Sequence, residues 1–230
     1  MTSVIQHPWN VTPKEAEDIQ RRLATQVRET SLGFVPQTVA GADVSIEGEV
    51  ARAALVVLRY EDMQPLEQVT VEQPVTFPYI PGLLSFRETP ALLEAFQMLQ
   101  QQPDLVICDA QGRAHPRRLG LASHVGLLLD LPVIGCAKSR LVGLYEEPGQ
   151  QPGDWSPLFN GEERIGAVVR TRQDTAPVFV SIGHRITLEE AIHITLACCR
   201  GYRLPEPTRL AHLAAGGKQV VPPAQQLRWF

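Results

Sequence analysis

Two short runs of uninterrupted apolar residues, LVIC at 105–108 and PVIGCA at 132–137, constrain the fold of this chain more than any other feature. A strand that is apolar at every position hides both faces, which is the pattern of parallel strands covered by helices on either side. Between the two runs lies LGLASHVGLLLD (119–130), helical in period. Strand, helix, strand with a right-handed crossover is the natural connection. Each run ends in a charged residue, Asp109 after the first and Lys138 after the second.

Upstream the pattern is different. TVAGADVSIE (38–47), ARAALVVLRY (51–60) and LEQVTVEQPV (66–75) are strand-like and joined by short connections. Short connections favour antiparallel pairing. A helix is expected over 12–30, because Thr12-Pro13-Lys14-Glu15 combines a capping box with Pro at the first helical position. A second helix is expected to start at Thr89, with Pro90 at its first position. Further strands are expected at 167–171 and 178–183, then a helix opened by the capping box Thr187-Leu188-Glu189-Glu190, a last helix over PTRLAHLAA, and a tail without fixed structure at 217–230. The expected architecture is α/β: three antiparallel strands, then parallel strands, in one mixed sheet flanked by helices. That order matches the ribonuclease H-like fold, in a single domain over 1–230.

Composition narrows the function classes. Hydrophobic residues at 44% and charged residues at 20% allow an ordinary core. No apolar run approaches the roughly 18 residues of a membrane span, so no membrane association is expected. The N-terminal MTSVIQHPWN lacks a signal-peptide pattern, and a cytoplasmic location is the expectation. Cys108, Cys136, Cys198 and Cys199 form no C-x-x-C pair and sit in apolar contexts, which points to neither zinc nor disulfides. A net charge of −4 argues against indiscriminate nucleic-acid binding, yet Arg113, His115, Arg117, Arg118, Lys138 and Arg140 make the centre of the chain locally basic. A Walker A motif, a G-x-G-x-x-G after a strand and a G-x-S-x-G elbow are all lacking.

The chemistry resides in carboxylates. Asp43 interrupts the first apolar strand and Asp109 ends the fourth; a carboxylate in a buried strand is costly unless it is paired or binds a metal. Either could be a hydrogen-bonded turn residue on its own, but the expected sheet sets the two strands side by side. Glu88 offers a third carboxylate, although a helix N-terminal acid is its plainer reading. Three carboxylates without a Cys or His cluster suit a hard cation with oxygen ligands, Mg²⁺ or Mn²⁺, which binds phosphates and activates water. Lys138 could balance negative charge developing at a phosphate. His212, among Leu210, Ala211 and Leu213, is either a satisfied core histidine, or a member of the metal site or a handler of the water proton.

The segment FPYIPGLLSFRE (77–88) is neither a regular helix nor a strand. Pro78 and Pro81 remove backbone donors and Gly82 follows at once, yet the stretch is apolar and aromatic. A stiff loop presenting Tyr79 and Ile80 is built to push an apolar object into something.

In these motifs the chain resembles the endonuclease V family, deoxyinosine 3′ endonucleases of DNA repair. The resemblance is carried by AGADVS around Asp43, PYIPGLLSFRE, PDLVICDAQGRAHPRRLGLASHVG, PVIGCAKSRLVG, GHR at 183–185 and GYRLPEPTR, covering residues 38–213. It implies Asp43, Asp109 and Glu88 at Mg²⁺, catalytic duties for Lys138 and His212, and Tyr79 with Pro78, Ile80 and Pro81 as a wedge that fills the gap left by a flipped base. It also implies a hypoxanthine pocket at Gly82, Leu84, Gly120 and Leu121, read largely through backbone groups, with His115 beside it. The family cleaves the second phosphodiester 3′ to the lesion, leaving 3′-hydroxyl and 5′-phosphate ends. The implied partner is DNA carrying deoxyinosine or another deaminated or mismatched base, bound by a monomer. Inosine-containing RNA or branched DNA is the alternative substrate, and a non-catalytic lesion-binding module the alternative class. The chain departs from many relatives at Ala110, where they carry Gly, and at His212, which is Asp in some.

Overall fold

The computed structural model describes residues 5–222. Helix α1 (Pro13–Ala24) begins at the expected capping box: the Thr12 hydroxyl accepts from the Glu15 N–H, and the Glu15 carboxylate accepts from the Thr12 N–H at 2.7 Å. It stops well before residue 30. The Arg28 N–H donates instead to His184 Nδ1 at 3.2 Å and the Arg28 carbonyl accepts from the Arg185 N–H, so tertiary bonds take the groups a longer helix would have used.

The three strands β1 (Thr38–Glu47), β2 (Val50–Arg59) and β3 (Pro65–Pro74) pair antiparallel, close to their expected bounds. Helix α2 (Leu84–Gln97) then leads to β4 (Leu105–Cys108), α3 (Leu121–Leu129) and β5 (Val133–Ala137). β4 pairs parallel with β1 and β5 pairs parallel with β4, as expected from the apolar runs. β6 (Trp155–Asn160), β7 (Glu163–Val169) and β8 (Val178–His184) complete an eight-stranded mixed sheet in the order β3-β2-β1-β4-β5-β8-β7-β6. Beyond β5 every pairing is antiparallel, so the parallel part of the sheet is confined to β1, β4 and β5. β6 was not anticipated: it carries Pro157 and lies at the sheet edge, where proline is tolerated.

Alternate residues of the strands feed opposite faces. Val39, Ala54, Val56 and Leu58 join a core under α4 (Leu188–Ala197) and α5 (Glu206–Ala215). Ala40, Ala42, Ala53 and Leu55 join a second core under α2 and α3. A third cluster of Ile19, Leu23, Phe77, Leu83, Phe86 and Leu119 seats α1 on the outside of α2 and α3.

One boundary differs in a way that matters for the site. α2 begins at Leu84, not Thr89, and Pro90 lies inside it. Pro90 cannot donate to the Phe86 carbonyl, which is the usual penalty. Leu83 and Phe86 are nonetheless 1% exposed, and each such burial contributes roughly 1.5–3 kcal/mol. Packing therefore overrides the local signal, and Glu88 stands one turn inside a helix rather than at its start. Of 217–230, residues 217–222 are described: the Val220 N–H donates to Gln68 Oε1 at 2.8 Å and Val221 is fully buried. Residues 223–230 lie outside the described residues.

Candidate active site

The carboxyl ends of β4 and β5 meet the middle of β1. Ala42 is in register with Cys108, and the Asp109 N–H donates to the Ala42 carbonyl at 3.0 Å, so Asp43 and Asp109 stand next to each other. Lys138 follows β5 directly, and its Nζ lies 2.5 Å from Asp109 Oδ2. From the far side α5 brings His212, whose Nδ1 is 2.8 Å from Asp43 Oδ2. α5 gets this close because residue 41 is glycine: a Cβ there would stand 1.9 Å from the Pro207 carbonyl oxygen.

Asp43, Asp109 and His212 each offer one ligand atom within 4.8 Å of the others. Glu88 lies outside that tight trio but within electrostatic reach. Burial, and then the charges of Asp43, Asp109, push its carboxyl up to about 8. Asp43 is raised by burial and by the neighbouring Asp109. Crowded, desolvated carboxylates that hold protons this tightly are what a cation displaces, so the donor set fits a hard metal ion.

All of this lines one cleft of about 540 Å³. Its opposite wall is the loop before α2. Phe77 and Leu83 anchor the loop in the third cluster, the Leu83 N–H donates to the Ile80 carbonyl, and Arg87 Nη1 donates to the Phe77 carbonyl at 2.9 Å. Tyr79 is left 72% exposed at the tip. Ile80, Pro81, Gly82 and Leu84 line the cleft with it, as do His115, Gly120 and Leu121; of the residues expected at the metal, the phosphate and the base, Pro78 is the one that does not. A larger concavity of about 930 Å³ opens between 35–38 and 59–66, but no cluster of potential metal ligands is found there among the described residues.

Three donors meet on one carbonyl. Gly82, at φ +82°, presents its oxygen to Gln20 Nε2 at 3.0 Å, Arg117 Nη2 at 2.8 Å and His115 Nε2 at 2.9 Å. His115 Nδ1 accepts from the Arg117 N–H, which assigns the ring proton to Nε2. Burial holds His115 down at about 4, so it stays a neutral donor near neutral pH. Gln20, wholly buried on α1, also donates to the Leu119 carbonyl and accepts from Arg117 Nε at 2.5 Å. Sequence reasoning missed Gln20; its signal is a polar residue on the helix stripe of Ala16, Ile19 and Leu23. Ser85, Gln111 and Ser139 were missed too and line the same cleft.

The basic centre of the chain is not a free cationic face. Arg113 pairs with Glu29 and Glu163, Arg118 with Glu163, and Arg117 with Glu17. The histidine of the 183–185 motif is away from the cleft; His184 accepts from the Arg28 N–H and faces Asp130 at 3.4 Å. Burial also raises the thiols, Cys198 to about 12 and Cys199 to about 11, which leaves them poor nucleophiles and ligands.

A family model described as Endonuclease V matches residues 21–213. Endonuclease V of Dehalococcoides mccartyi (strain ATCC BAA-2100) is 53% identical over 211 residues, 91% of this chain and 95% of that protein. The crystal structure of endonuclease V from Streptomyces avermitilis superposes with a TM-score of 0.87 at 41% identity, covering 94% of this chain and 97% of its own. Ciona intestinalis endonuclease V, solved with a 23mer DNA containing an inosine followed by a ribo-adenosine, superposes at 0.80 with 28% identity, covering 90% and 98%.

Proposed function

The chain belongs to the endonuclease V family and is a nuclease, and from that premise we infer that it is a Mg²⁺-dependent endonuclease that recognises deoxyinosine in DNA. It hydrolyses the second phosphodiester bond 3′ to the lesion and leaves 3′-hydroxyl and 5′-phosphate ends. The observation that carries this reading is the shared cleft, which has an exposed aromatic wedge on one wall and a carboxylate cluster on the other.

Asp43 and Asp109 would hold the ion, with Glu88 as a further carboxylate and His212 steadying Asp43. When bound, the ion supplies charge neutralisation at the phosphate and a more acidic water. Mg²⁺ suits this oxygen-rich set, and Mn²⁺ can replace it. Lys138 sits beside Asp109 and offsets negative charge that develops on the scissile phosphate. Tyr79, bracketed by Pro78, Ile80 and Pro81, fills the gap in the stack, offsetting part of the few kcal/mol that flipping a base costs. Gly82, Leu84, His115, Gly120 and Leu121 frame the pocket for the flipped base.

The deciding experiment incubates the protein and Mg²⁺ with a duplex holding one inosine and maps the product ends, alongside Asp43→Ala. A nick one phosphodiester beyond the bond adjacent to inosine is expected, with activity lost in Asp43→Ala while lesion binding persists. Intact substrate, or full activity in Asp43→Ala, refutes the assignment. Inosine-containing single-stranded RNA in the same assay separates DNA from RNA preference.

A further inference from the structure

Gln111 is 9% exposed and lines the cleft next to Ala110, Gly120 and Leu121. Its amide orientation is determined by its neighbour: Nε2 donates to the Ser139 carbonyl at 2.8 Å, and the reverse orientation would press two oxygens together. Its backbone is pinned as well, since the Gln111 carbonyl accepts from the Ala122 N–H at 3.1 Å in the first turn of α3. That leaves Oε1, a buried acceptor with no hydrogen-bond partner among the described residues. Buried polar atoms are paired in the great majority of cases, and an orphan in a binding cleft is one that a ligand can satisfy. Ser85 Oγ is a second orphan in the cleft, but a hydroxyl both donates and accepts and so cannot tell the two apart. Gln111 Oε1 can only accept.

We propose that Gln111 is a specificity residue whose Oε1 accepts the ring N–H that deamination creates. Adenine presents a lone pair at N1, whereas hypoxanthine presents N1–H. The same reversal turns the N3 acceptor of cytosine into the N3–H of uracil, and xanthine also carries N1–H. An acceptor at this point therefore welcomes deaminated bases and opposes the lone pair of adenine or cytosine. Guanine has N1–H too, so Gln111 does not exclude it. This inference rests on reading the cleft as a deoxyinosine site, and it adds a side-chain acceptor to the pocket framed by Gly82, Leu84, His115, Gly120 and Leu121.

The test compares duplexes carrying one inosine or one nebularine, a purine whose N1 is a bare acceptor. Affinity is measured by fluorescence anisotropy with Ca²⁺ in place of Mg²⁺, and kcat/KM for nicking with Mg²⁺. The wild-type protein should favour inosine by on the order of ten- to a hundredfold, the cost of opposing or stranding a buried acceptor. Gln111→Leu should lose most of that preference while binding nebularine at least as well as wild type. A merely structural role in holding the Ser139 loop would lower kcat on both substrates and leave their ratio unchanged, which overturns the proposal. Equal treatment of the two bases by the wild-type protein overturns it without any variant. A wild-type protein that fails both to bind and to nick inosine DNA would overturn the reading of the cleft itself, a different failure.

Discussion

At the scale of the residue, Glu88 shows how a site stores electrostatic cost. Its carboxyl is pushed up to about 8 from an ordinary 4.5, first by burial and then by Asp43. The folded protein thus binds this proton more tightly than the unfolded chain does. Between about pH 4.5 and 8 the folded state holds more protons, so this group's effect on stability becomes less favourable as pH rises through that window. We expect the metal-stripped protein to lose stability over that range, on the order of a few kcal/mol from this group. Glu88→Gln should flatten that dependence, and added Mg²⁺ should restore stability most at the alkaline end, because the ion competes with the proton. Thermal melts across pH, with and without Mg²⁺, measure this. A Glu88→Gln protein with the same slope as wild type would show that the proton is held elsewhere.

At the scale of the element, the loop before α2 and the first turn of α2 behave as one stiff unit. Phe77, Leu83 and Phe86 root it, and Tyr79 stands out of it with 72% of its surface exposed. An aromatic ring left in solvent on a rigid mount contributes little to stability, but its stacking on a base is typically worth about 1–3 kcal/mol. Tyr79→Ala should therefore leave the melting temperature almost unchanged while weakening inosine-DNA affinity roughly five- to a hundredfold. Unaltered affinity would remove the wedge from the account. The same element shows where local signals mislead. Pro90 marks a helix start by its chemistry, yet the burial of Leu83 and Phe86 carries the helix back to Leu84. α1 errs the other way, ending early because Arg28 finds partners at the end of β8.

At the scale of the molecule, the site depends on how closely α5 packs against β1. Gly41 leaves room for the Pro207 carbonyl, and five residues further along the chain His212 reaches Asp43. Gly41→Ala would place a Cβ 1.9 Å from that carbonyl oxygen, against the backbone of the Pro207–Thr208 peptide. The helix must move away, taking His212 from Asp43. The variant should lose stability by about 1–3 kcal/mol through overpacking and lose nicking activity beyond what the stability loss explains. Denaturant titration and nicking rates well below the transition check both parts. Wild-type nicking by a folded Gly41→Ala protein would show that the His212–Asp43 contact is dispensable.

The sequence by itself determined the layer order and the positions of the carboxylates. Runs apolar on both faces must lie inside a covered sheet, and a charge that ends such a run must emerge at the strand's carboxyl end. Asp109 and Lys138 were legible for that reason, Asp43 as a charge inside an apolar strand, and the loop ending at Glu88 by its prolines and its apolar composition. Only the tertiary structure decided which polar groups are shared and which are stranded. Gln20, His115 and Arg117 come from two distant segments to hold one carbonyl at Gly82. Gln111 donates to the Ser139 carbonyl and keeps an acceptor unpaired among the described residues. Hydrophobic periodicity reports which side of an element is buried. Hydrogen-bond partnership depends on distances between elements far apart in the chain, and those exist only once the layers have packed.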